Sequence, residues 1–150
     1  MAGVGGAFAL RYSPAIRWLL SPIGLGPAHS GADVYHGFVR IRMGWAFHAD
    51  VGRTSITGAR LFPGTVRWTA GAHTNLRGRW LVNGAGSGLV ELTMDPPSEG
   101  WSGGFPIHVR SLLIGLEDPD GFLRALADRA PTGNPQSSAR GDGYDGTAAP

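Results

Sequence analysis

Val39-Arg40-Ile41-Arg42-Met43-Gly44-Trp45-Ala46-Phe47-His48-Ala49-Asp50-Val51 decides the fold class. From Val39 to Met43 the apolar residues fall on alternate positions and both Arg on the others, the period of a half-buried strand. Gly44 interrupts the run. Trp45, Phe47, Ala49 and Val51 then alternate with Ala46, His48 and Asp50, which predicts a second strand. So short a connection allows only antiparallel neighbours.

The same period recurs on both sides. Ala32 to Tyr35 reads as a strand turned by His36-Gly37, and Ile56 to Phe62 as another after the turn residues Gly52 to Ser55. Arg79 to Val82 and Leu89 to Met94 read as a pair joined through Asn83-Gly84-Ala85-Gly86-Ser87-Gly88, with Asn-Gly as the hairpin signal and Asp95-Pro96-Pro97 as the stop. The last strand predicted is Val109 to Leu116.

A helix follows. Asp118 can cap it, Pro119 suits its first position, and Asp120 suits the positive end of its dipole. Phe122, Leu123 and Leu126 form its apolar stripe, and Pro131 stops it. A weaker helical pattern runs from Pro14 to about Leu20. The expected fold is therefore mainly β, with about seven antiparallel strands in a small barrel or sandwich closed by one C-terminal capping helix.

The chain has 150 residues, and 42% are hydrophobic. That suffices for one core, and the 25 Gly and 11 Pro favour turns over long helices. Residues 1–7 read as a flexible Gly-rich lead, 8–130 as the folded domain, and 131–150 as a disordered tail. The tail lacks Leu, Ile, Val and Phe, so it has little to offset its ordering entropy. Its Arg140-Gly141-Asp142 is read as a chance tripeptide.

Composition excludes several classes of chemistry. Without Cys there is no disulfide, thiol nucleophile or iron–sulfur cluster. The net charge of +2 is carried entirely by Arg, scattered singly apart from Arg40/Arg42 and Arg77/Arg79. Nucleic-acid binders concentrate charge in a patch, so none is expected as a partner. No run of ~18 apolar residues occurs, so no membrane-spanning helix is expected, and a cytoplasmic location follows by default.

Arg11-Tyr12-Ser13-Pro14, the strand Phe38 to Trp45 and the helix Glu117 to Leu126 carry a resemblance. In these the chain resembles bacterial pleckstrin-homology-like (PH-like) domains, and more closely uncharacterised small actinobacterial proteins, over roughly residues 8–128. The resemblance implies a PH-like fold and brings no activity with it. Phosphoinositide-binding PH members use a basic loop between early strands, whereas here the early turn is His36-Gly37 and has no Lys.

No catalytic signature stands out. Gly84-Ala85-Gly86-Ser87-Gly88 is like a phosphate loop, but a strand rather than a helix follows it. His29, His36, His48, His73 and His108 show no metal-ligand spacing, and His48 and Asp50 read as a solvated pair on one strand face. No Gly-x-Ser-x-Gly elbow occurs. Arg67 to Trp80 is the stretch richest in recognition chemistry, with three Arg, two Trp and His73. Within it Arg77, Arg79 and His73 are the candidate anion- or partner-binding residues, because Arg forks bind carboxylate and phosphate.

The leading expectation is a non-enzymatic binding or scaffolding module for a protein or small anion, without cofactor. The alternatives are a β-barrel carrier of an apolar small molecule, and an enzyme whose site is assembled only in space.

Overall fold

A computed structural model describes residues 4–65 and 71–128. The tail expected over 131–150 lies outside them, as do Arg67 and Trp68.

The decisive stretch folds as read. β2 (Ser30–Tyr35), β3 (Phe38–Met43) and β4 (Phe47–Gly52) form an antiparallel meander, with Asp33 opposite Arg40 and Arg40 opposite Asp50. Val39, Ile41, Met43, Phe47, Ala49 and Val51 all point into the core. Trp45 departs from the reading. It sits in the turn between β3 and β4, where Gly44 takes φ 50°, and its ring is exposed.

The described residues form nine strands rather than seven, in a mixed sheet that does not close into a barrel. The Gly-rich lead contributes β1 (Val4–Phe8), paired with β2. β5 (Ile56–Leu61) pairs with β8, and β6 (Gly71–Thr74) with β7 (Arg79–Asn83). β8 (Leu89–Ser102) and β9 (Phe105–Gly115) form a long hairpin through Gly103-Gly104, both at positive φ as such a turn requires.

Asp95-Pro96-Pro97 does not end its strand. The prolines fall in a register break between Thr93 and Ser98, where no ladder N–H is needed, and β8 continues beyond it. Nor do β7 and β8 form a hairpin. β9 lies between them, antiparallel to β8 and parallel to β7, so the sheet is not wholly antiparallel. The loop 83–88 crosses the end of β9, with the Leu116 N–H donating to Gly88 O. Asn83 is buried and donates to Ala85 O, folding the loop on itself instead of into a tight turn.

β8 and β9 hold the molecule together because each serves both halves of the sheet. The last part of β8 pairs with β4 and the first part with β5. The sheet bends around an interior filled by Ile41, Phe47, Val90, Leu92, Leu112 and Ile114.

Two helices complete it. α1 (Pro14–Leu20) buries Leu20, and Tyr12 just before it donates its hydroxyl to Leu25 O at 2.8 Å. Burial pushes the Tyr12 phenol above its ordinary pKa, against a smaller opposing effect of the Ser30 hydroxyl. α2 (Pro119–Ala127) begins as its sequence signs it, with the Asp118 carboxylate accepting from the Gly121 N–H at 2.9 Å. It packs on β1, β2 and β5, covering the side on which the sheet is open. Phe122 is fully buried there, edge-on to Phe8 with ring centroids 5.5 Å apart.

Candidate functional site

The junction between β4 and β5 builds the most developed surface feature of the described residues. Arg53–Ser55 form a single 3-10 turn, and the Ser55 hydroxyl closes it on Gly52 O at 2.7 Å. The Arg53 guanidinium then reaches two other parts of the chain. One nitrogen donates to Tyr35 O at 3.3 Å, at the β2–β3 turn. The other donates to Leu126 O at 2.7 Å and Asp128 O at 2.9 Å, at the end of α2. The last carbonyls of a helix have no intrahelical donor and carry the negative end of its dipole. A cation with several N–H groups satisfies both needs, so Arg53 anchors α2 at its C-terminus.

A cleft of about 720 Å³ lies between α2 and β5. Leu123 and Leu126 of α2 form one wall, Thr57 to Ala59 of β5 the other, and His36 and Arg53 the head. Most of its lining is apolar. Among the described residues β5 pairs with β8 alone, so its other edge is open along this cleft. Phe62 N–H donates to Leu89 O at 2.9 Å. With Leu61 opposite Val90 and Ala59 opposite Leu92, the antiparallel alternation turns the backbone N–H groups of Ala59 and Leu61 away from β8, to the open edge.

The residues singled out in the sequence lie elsewhere. His73 is on β6, half-buried. Arg77 is exposed in the turn between β6 and β7, whose Asn75 side chain accepts from the N–H groups of Arg77 and Arg79. The Arg79 side chain, at the start of β7, reaches Glu91 at 3.7 Å, and Glu91 also holds Arg60 at 2.6 Å. Arg79 thus shares a carboxylate with a second Arg. Trp80 points the opposite way into the core, 5.5 Å from Phe47 between ring centroids.

His48 and Asp50 do meet on the outer face, at 3.6 Å. Asp50 mainly serves Arg40, which binds it through two nitrogens at 2.9 and 3.1 Å and lies over the stacked rings of Tyr35 and Phe38. The hydrogen bond from Arg40 holds the Asp50 carboxyl below the usual carboxylate range. Among the described residues no group of three or more His, Asp or Glu is placed to hold a metal ion, and no helix is long and apolar enough to cross a membrane.

No protein-family model, curated protein or solved structure matches the chain.

The cleft residues escaped the sequence reading for a simple reason. Arg53 reads as one Arg in a turn, and Leu123 and Leu126 as a core stripe. Only the gap between α2 and β5 gives them a second role.

Proposed function

We propose that the chain is a non-enzymatic binding module that takes an extended segment of a protein partner as an added strand on β5. The observation carrying this reading is the coincidence of an open strand edge with an apolar cleft roofed by a helix. An added strand gains its affinity from main-chain hydrogen bonds to the edge, and its specificity from pockets for alternate side chains. Ala59 and Leu61 offer the donors, and Leu123 and Leu126 the apolar contact. The PH-like relationship belongs to the same proposal and rests on the residues that carry the resemblance, Arg11-Tyr12-Ser13-Pro14, Phe38 to Trp45 and Glu117 to Leu126.

The test is a random-peptide display selection against the full chain. The selection is expected to yield an extended peptide of roughly micromolar affinity, in the range common for short docking segments. Leu126→Glu places a charge in the cleft wall, and Ala59→Pro removes an edge donor that the β8 ladder does not use. Each is expected to weaken the peptide by about tenfold or more, while Arg79→Ala leaves it unchanged. Selected peptides that bind both cleft variants as tightly as the parent chain would overturn the proposal, and so would a selection without binders.

A further inference from the structure

Of the eight large apolar side chains exposed among the described residues, all but Leu61 and Leu76 gather at one end of the molecule, away from the cleft. Trp18 and Leu19 on α1 are 82% and 68% exposed, and Ile23 in the 3-10 turn that follows is 53% exposed. Trp45 at the β3–β4 tip is 65% exposed, and its indole N–H donates to Ile23 O at 2.8 Å, tying the tip to that turn. The neighbouring Ala46 O accepts from the Gly103 N–H at 3.3 Å, which brings up the β8–β9 tip flanked by Trp101 and Phe105. Three separate stretches of chain therefore present large apolar side chains at the same end. Monomeric surfaces rarely gather them without a partner.

Around α1 and the two tips the sequence has no Asp or Glu before Asp33, none from Met43 to His48 and none from Gly100 to Arg110, the nearest acid along β8 being the exposed Glu99. Arg17 is exposed on α1 beside Trp18. His29 is exposed next to the β3–β4 tip, its carbonyl accepting from the Gly44 N–H at 3.0 Å.

We propose that this end docks on the surface of an anionic lipid bilayer. Trp18, Leu19, Ile23 and Trp45 enter the headgroup–acyl boundary, and Arg17 meets lipid phosphates. Trp favours that boundary because its ring is apolar and its N–H is polar. Side chains carried on tips and a short helix can sink into a soft interface without a shaped groove to receive them. The charge argues against a second copy as the occupant. A two-fold contact across this patch would bring the Arg17 side chains into one desolvated interface with no carboxylate from the patch to pair them. An anionic bilayer supplies that countercharge. The docking uses neither β5 nor α2, so it stands independently of the proposed peptide site.

Co-sedimentation of the full chain with vesicles tests this, using phosphatidylglycerol–phosphatidylcholine mixtures and phosphatidylcholine alone. The chain is expected to pellet with the anionic vesicles, and Trp18→Ser combined with Leu19→Ser to reduce the partition by about tenfold or more, since two exposed apolar side chains are lost from the contact. Both positions are exposed, so the variant is expected to melt at the parent temperature. Arg17→Gln is expected to narrow the difference between the two vesicle types. Absence of binding to anionic vesicles, equal binding to both types, or binding unchanged in the double variant would each overturn the proposal. A dimer in sedimentation velocity that the double variant converts to monomer, without vesicle binding, would assign the patch to a second copy instead.

Discussion

At the scale of single residues, the outer face of β2–β4 shows how little an exposed charge pair depends on burial for its geometry. Alternation puts Asp33, Arg40, Arg42, His48 and Asp50 on one face, and register then decides the partners: Arg40 to Asp50, and Arg42 to Asp33 at 3.2 Å. Asp50 is held below the usual carboxylate range by Arg40. A carboxyl whose pKa is depressed on folding contributes stability above its unfolded pKa and loses it as the pH falls through the folded one. The part of the Arg40 contribution that acts through Asp50 is therefore complete at neutral pH and absent in strong acid. Arg40→Ala is expected to raise the Asp50 pKa toward the ordinary carboxylate value, followed by NMR titration of its side-chain carboxyl. The small difference in melting temperature between parent and variant should shrink on acidification. An unchanged Asp50 titration would show that Arg40 is not what depresses it.

At the scale of elements, α2 is fixed at both ends and in the middle. Asp118 caps its start, Phe122 fills the space against Phe8, and Arg53 takes its last carbonyls. Phe122→Ala is expected to cost about 3–5 kcal/mol in urea denaturation, the range for truncating a buried Phe. Leu126→Ala should cost clearly less, because Leu126 is only half-buried and faces the cleft. Equal costs would mean that Leu126 is a core residue and that the cleft closes in solution. This helix was legible in the sequence because each signal is local: cap, proline, stripe and stop lie within fourteen residues of one another. The β2–β4 meander was legible for the same reason, with period and short turns agreeing. β6 was not. Gly71-Ala72-His73-Thr74 has no apolar alternation, and among the described residues it is a strand through its pairing with β7.

At the scale of the whole molecule, the sequence revealed the class and missed the wiring. Asn83-Gly84 promised a hairpin, yet β9, the last strand among the described residues, separates β7 from β8. The parallel pairing depends on residues about thirty positions apart, which no local pattern encodes. Arg77, Arg79 and His73 carry recognition chemistry, but none of them lines the cleft. Arg53 heads the cleft between β5 and α2, and its side chain joins segments more than seventy residues apart in sequence. The sheet has an open edge beneath a helix, and that edge is what the proposed function requires. Amide hydrogen exchange, read residue by residue along β5 with and without a selected peptide, tests it most directly. The account predicts that Arg60 and Phe62, bonded to β8, exchange slowly throughout, while Ala59 and Leu61 exchange rapidly in the free chain and slowly with peptide bound. Protection of Ala59 and Leu61 before the peptide is added, or no change in them after it, would contradict the account.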